Sequence, residues 1–482
     1  MRIPFTLFRL SPGLLAVIFP AFLAGSAAPA QTPDATPRES MRPPPEKRKF
    51  VSEAVEKEIV RVTSTVADPD VAWIFQNCYP NTLDTTVNFT DVNGKPDTYI
   101  ITGDINAMWL RDSSAQVQAY LPLCKDDPHL AEMISGLIHR QAAYIQIDPY
   151  ANAFQKDASH SSSHSKDITE MRPGVFERKW ELDSLCYPIR LAYEYWKTTG
   201  DTATFDADWW KAMHLAEATM RDQQRKKDQG QYSFIRGRVP AGQDGHGAPI
   251  KPTGMICSAF RQSDDATTYL FNIPENLFAI TALGYLAEMA DTLAPGDKFG
   301  AECRALAAEV QKGVTDYGIV DDPKYGKIYA FECDGVGHTL LMEDAGIPGL
   351  VSIPYLTPSL AADPVVLNSR HFAYSSDDPF WIVGTAAEGT GSPHVGKGNI
   401  WPLGLVMRGM TSTDPGEITK CLAMLTTSSA GTGFMHESFN KDNPAKFTRH
   451  WFAWVNNLYG EFILRVLKEH PEILAKPIPP GF

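Results

Sequence analysis

The string RQSDDATTY, residues 261–269, sets Asp264 beside Asp265, between Arg261 and an apolar run. Adjacent carboxylates repel, so in a dry site one of them keeps its proton and can serve as a general acid. A polar cap formed by Ser263, Asp264 and Asp265 ahead of a short helix reads the same letters. GFMHESFNKD places His436 and Glu437 in a Gly-flanked loop, and the Met, Phe and His around Glu437 favour a pocket over a solvated acid. GDINAMWLRDSSAQ supplies Trp109, Arg111 and Asp112. An indole plane suits the apolar face of a sugar ring, and an Arg–Asp pair suits vicinal hydroxyls; an N-cap by Asp112 with a structural ion pair fits equally well. In ERKWELDSLCYP, Asp183 stands at a helix start, where capping is the simpler account. His394 and Trp401, in the Gly-rich GTGSPHVGKGNIWP, are further candidates for a sugar pocket. Together the acids pose the two-carboxylate problem of glycosidic hydrolysis: one protonates the leaving oxygen, the other activates water or attacks the anomeric carbon, and neither step needs a metal or organic cofactor.

Other chemistries find little support. His160 and His164 of HSSSH have a metal-ligand spacing, but in a Ser-rich loop context. The Gly-rich segment lacks the GK[ST] ending of a phosphate loop, and no GxSxG or HExxH occurs. The seven cysteines are scattered without a CxxC pair, and read mainly as buried thiols.

The elements that must hold these residues are helical. KFVSEAVEKEIVRVTSTV repeats apolar residues every three or four positions, and nine further segments do the same, from SSAQVQAYLPLC to HWFAWVNNLYGEFILRVLKEH. Strand signals are confined to TYIITGD, YSFIRG, GKIYAFECD and VSIPYL, with no βαβ alternation. Evenly spaced helix pairs joined by long loops predict an all-α ring of helical hairpins with short strands in its loops, and a site where loops converge at one mouth. The chain has 482 residues, 43% hydrophobic, with a formal net charge of −13, which argues against a nucleic-acid partner. Residues 1–30 read as a secretory signal peptide cleaved after Ala30, so a secreted or periplasmic protein with no membrane span is expected. Residues 31–45 read as a Pro-rich disordered leader, and 46–482 as one catalytic domain.

Taken in order, GDINAMWLRDS, ERKWELDSLCYP, RQSDDATTY, MEDAGIPGLVSIPYL, GNIWPLGLVMRGMTS and GFMHESFN resemble glycoside hydrolase family 125, over about residues 46 to 470. The resemblance implies an (α/α)6 toroid and an exo-acting α-1,6-mannosidase that inverts configuration with no metal or cofactor. Its substrate would be a mannose-containing oligosaccharide or N-glycan, and the enzyme is expected to be a monomer. The family's general acid falls on Asp264, with Asp265 the alternative, and its base on Glu437. Room for a water predicts a carboxyl separation of about 6.5–9.5 Å. Arg111, Asp112, Asp183, Arg261, Asp265, His394 and His436 are then candidates for substrate contacts, with Trp109 and Trp401 as pocket walls. Gln262, where the family more often has Pro, and Asn399, where it more often has an aromatic, are departures beside the site. An inverting α-glucosidase or trehalase-like hydrolase on the same fold, a polysaccharide lyase on a similar ring, and a non-catalytic periplasmic sugar-binding protein are the competing readings.

Overall fold

The computed structural model describes residues 38–159, 162–237, 244–479 and 481. The expected signal peptide and its cleavage site lie outside these residues, as does His160. The described residues from Ser40 onward form one compact unit.

Helix starts follow a repeated local rule. Asp-Pro pairs open the helices Pro69–Cys78, Pro128–Ile147, Pro364–Ala373 and Pro415–Ser428. In each, the aspartate accepts a hydrogen bond from a first-turn amide, and proline takes the position whose N–H has no helical partner. Ser52 caps Glu53–Thr65 in the same way, and Asn272 caps Ile273–Leu293.

The helices fall into two kinds. Glu53–Thr65 buries only Val55, Ile59 and Val62, one stripe at the expected spacing. By contrast, Leu110–Ala115, the first ten residues of Asp183–Thr199, the first seven of Ile273–Leu293 and the first eight of Ala453–Glu469 are buried on every side. A helix surrounded by protein is an inner helix. The inner helices pack in succession: 110–115 on 183–199, 183–199 on 273–293, 273–293 on 353–356, 402–410 on 453–469, and 453–469 back on 110–115. One-sided helices cover them, 299–317 on 273–293 and 415–428 on 402–410.

The short strands are not loose connections. Among the described residues they pair into six small antiparallel sheets of two or three strands. Two of these build the site. Trp109 pairs with Ala153, which pairs with Glu177; Ile400 pairs with Phe439, and Ser438 with Thr448.

Three expectations are corrected. VSIPYL is a helical turn at Ile353–Leu356, because Pro354 suits the first turn of a helix better than a strand. YSFIRG contributes only an isolated bridge, Ile235 to Ile168. The leader does not stay free up to residue 45: Arg42 binds Asp84 (Nε to Oδ2, 2.7 Å) and Glu56, and the Met41 amide donates to Asn77 Oδ1 at 2.9 Å. All seven cysteines are buried and unpaired. No helix among the described residues is long and apolar enough to cross a membrane.

Candidate active site

Asp264 lies on a tight loop, not ahead of a helix. The Arg261 amide donates to the Asp265 carbonyl (2.8 Å), and the Asp264 amide to the Arg261 carbonyl (2.9 Å). Glu332 pins this loop from beneath, accepting Arg261 Nε at 2.6 Å and the amides of Thr268 and Tyr269. Asp264 itself has φ +66°, a left-handed conformation that aspartate tolerates better than most side chains. Such backbone costs about 1–3 kcal/mol and persists only where surrounding contacts impose it. Here they do: Lys179 Nζ donates to the Asp264 carbonyl at 2.8 Å, and Asn152 Nδ2 to its Oδ1 at 3.1 Å.

The carboxyl of Asp264 faces cations. Arg111 stands 3.9 Å from Oδ2 and Lys179 3.8 Å from Oδ1. Burial alone would raise its pKa, but Lys179, Arg111 and a hydrogen bond with Glu181 together hold it below the usual carboxylate range. This corrects the expectation that Asp265 keeps Asp264 protonated. Asp265 turns the other way, with Oδ1 3.4 Å from His394 Nδ1. Behind Asp264, Glu181, fully buried, is pushed well above its ordinary range by that burial.

Arg111 organises this side of the site. Its Nη1 binds Glu181 Oε2 at 2.6 Å and Asp183 Oδ2 at 3.3 Å, its Nε lies 3.6 Å from Asp112, and its guanidinium lies over the Trp454 ring. Asp183 therefore makes no side-chain cap. It is buried against Arg111, and burial pushes its pKa up to about 6.

Glu437 arrives from the opposite connection, just ahead of strand Ser438–Asn440. Arg449 Nη1 donates to its Oε1 at 3.1 Å and Thr448 Oγ1 to its Oε2 at 3.1 Å. Arg449 also donates through Nε to Asp104 Oδ1 at 3.0 Å. Its φ of +51° turns the chain at the strand end so that the guanidinium spans both acids.

These two halves meet at one pocket. Trp109, Arg111, Asp112, Asp264, His394, Trp401 and Glu437 all line it. Along its walls, buried polar atoms lack a protein partner among the described residues: the indole N–H of Trp109 and of Trp401, and the amide of Gln262. An unmet buried polar group costs about 1–3 kcal/mol, which a ligand rich in hydroxyls would recover. The indoles and charged groups of the walls suit the same kind of ligand.

Four candidates, Asp183, Arg261, His436 and Asp265, stand outside the lining. Asp183 is packed behind Arg111, and Arg261 is spent on Glu332. His436 is buried, stacked on Phe447, with ring nitrogens against the carbonyls of Arg449 and Ser429; it props the Glu437 loop instead of facing the pocket. Asp265 reaches the site only through His394. The sequence reading missed Arg449, Phe452 and Trp454, which line the pocket, and Asn152, Lys179 and Glu181 behind Asp264. Arg449 was masked by its aromatic neighbours in RHWFAW, which read as a helix entry.

The metal-independent alpha-mannosidase family model (GH125) matches residues 68–464. The meiotically up-regulated gene 157 protein of Schizosaccharomyces pombe is 38% identical over 457 residues, covering 90% of each chain. A Streptococcus pneumoniae metal-independent alpha-mannosidase, solved as a non-productive complex with alpha-1,6-mannobiose, is 37% identical with a TM-score of 0.83, over 87% of this chain and 99% of that one. A GH78 rhamnosidase of Bacillus sp. GL1 shares only the fold, at 13% identity and a TM-score of 0.52, over 83% of this chain and 35% of that chain. With its helices, its paired acids and these matches in agreement, the chain belongs to the metal-independent α-mannosidases of glycoside hydrolase family 125.

Proposed function

We propose that this protein is an exo-acting, inverting α-1,6-mannosidase, with Asp264 as general acid and Glu437 as general base. The observation that carries the reading is that one pocket is lined by both acids, each delivered by a different connection and each facing a different arginine, Arg111 or Arg449. Family membership supplies the sugar, and the mannobiose held by the S. pneumoniae relative supports the linkage.

In this reading the terminal mannose stacks against Trp109 and Trp401, and its hydroxyls meet Arg111, Asp112 and His394. Asp264 gives a proton to the glycosidic oxygen. Glu437 takes one from a water on the far face of the ring, and that water's oxygen bonds to the anomeric carbon as the glycosidic bond breaks. Arg449 and Thr448 fix the base so that the water is aimed before the reaction begins. The succession of inner helices and their outer covers supports an (α/α)6 double ring with the pocket at one mouth. The substrate is a mannose-containing oligosaccharide or N-glycan, the working form a monomer, and the N-terminal signal sends it to the periplasm or outside the cell.

Paired digests test the activity. Free mannose should be released from α-1,6-mannobiose, with no glucose from the matching glucobiose, and Glu437→Gln should lower kcat on mannobiose by about 10²–10⁴-fold while still folding. Equal release of both sugars, or an unaffected Glu437→Gln enzyme, would overturn the reading.

A further inference from the structure

The assigned acid poses a chemical problem. Asp264 must donate a proton, yet the groups around its carboxyl, Lys179, Arg111 and the Asn152 amide, all favour its anion. The proton has to be kept elsewhere, within reach.

Glu181 is placed for this. Its side chain is fully buried and within hydrogen-bond reach of the Asp264 carboxyl. Asn152 Nδ2 ties the two together, lying 3.1 Å from both Glu181 Oε1 and Asp264 Oδ1. Charge counting points the same way. Six carboxylates (Asp112, Asp167, Glu177, Glu181, Asp183, Asp264) crowd three cations (Arg111, Lys179, Arg236). Glu177 has two of these cations, Arg236 at 2.6 Å and Lys179 at 3.5 Å, whereas Glu181 shares Arg111 with Asp183. Glu181 also accepts the Ser184 hydroxyl at 3.3 Å and feels the charge of Lys179, which is itself bound to the Asp264 carbonyl and drawn to Glu177, while the Tyr232 phenol lies nearby; His394 adds to the field at Asp264. A fully buried carboxyl that shares its cations with several other acids keeps its proton, and burial raises its pKa well above the ordinary range.

We propose that Glu181 is the proton store of the general acid, passing its proton to Asp264 as Asp264 protonates the leaving oxygen. The proposal rests on the assignment of Asp264 as acid and adds the source of its proton. In the step, the Glu181 O–H bond breaks as an Asp264 O–H bond forms. That proton moves on to the glycosidic oxygen, which keeps the electron pair of the broken C–O bond. Water supplies the new C–O bond, and its proton goes to Glu437. After the sugar leaves, the proton on Glu437 returns through solvent to the Glu181–Asp264 pair, so the cycle closes. Glu181 touches no substrate atom and acts through Asp264, as a positioning residue.

Leaving-group dependence separates this role from a packing role. 2,4-Dinitrophenyl α-mannoside departs without protonation, whereas mannobiose needs it. Glu181→Gln should lose about 10²-fold or more in kcat/KM on α-1,6-mannobiose yet keep most of its rate on the dinitrophenyl glycoside. The alkaline limb of its mannobiose pH profile should also move to lower pH. Asp183→Asn, which strips the other carboxylate from Arg111, should affect both substrates alike. Should Glu181→Gln unfold, Glu181→Asp carries the test, since a shortened acid no longer reaches Asp264 and the same selective loss is expected. Equal losses on the two substrates, or no loss, would overturn the proposal. Asp264→Asn run alongside separates the two levels: selectivity there but not at position 181 refutes only the proton store, whereas its absence at 264 refutes the acid itself.

Discussion

His394 stands between the two halves of the site. Its Nδ1 lies 3.4 Å from Asp265, and the charges of Asp264 and Glu437 reach it as well. The Asp265 contact, against a smaller opposing effect of burial, raises its pKa above the ordinary histidine value. A histidine raised in the folded state adds stability that is fully present below its unfolded pKa of about 6.5 and lost as pH rises through the folded value. Asp265→Asn should therefore move the His394 imidazole titration to lower pH, as followed by its ring NMR signals. The variant's melting temperature should fall more at pH 5.5 than at pH 9. An unshifted titration would show that Asp265 is not the partner. Asp264 and Glu437 stood out in the sequence because each broke a local pattern, an acid pair against an apolar run and an acid among Met, His and Phe. Their partners did not: Asn152, Lys179 and Glu181 are ordinary residues until two connections are folded against each other.

At the scale of elements, the Asp-Pro starts carry weight. Asp127 caps the helix Pro128–Ile147 through the Leu130 amide at 3.0 Å and also accepts the Ser52 hydroxyl at 2.6 Å, so one carboxylate ties two helix starts. Asp127→Ala should cost about 1–2 kcal/mol in urea unfolding and leave kcat on mannobiose unchanged, because neither helix start touches the pocket; a loss under a few tenths would show the cap to be redundant. Long helices were legible in the sequence because capping and three-four periodicity agree there. Glu332–Cys333 lay inside the strand segment GKIYAFECD, but the two-residue strands at the site were not legible, because they exist only through pairing across distant connections, as Trp109 with Ala153 and Ile400 with Phe439. Those pairings set the site: the first brings Trp109 beside Asn152 and Glu177, the second brings Trp401 beside Glu437.

At the scale of the whole molecule, inner helices buried on all sides give a rigid support, and the chemistry sits in the connections at their ends. The acid side is built from residues 109–112, 152, 177–183 and 264, and the base side from 394, 401, 437 and 448–454. In the proposed mechanism water attacks from the Glu437 face while Asp264 protonates the leaving oxygen from the other. Proton NMR of α-1,6-mannobiose during the first minutes of digestion tests it most directly. β-Mannose should appear first and convert to the α anomer only by mutarotation. α-Mannose as the first product would contradict it.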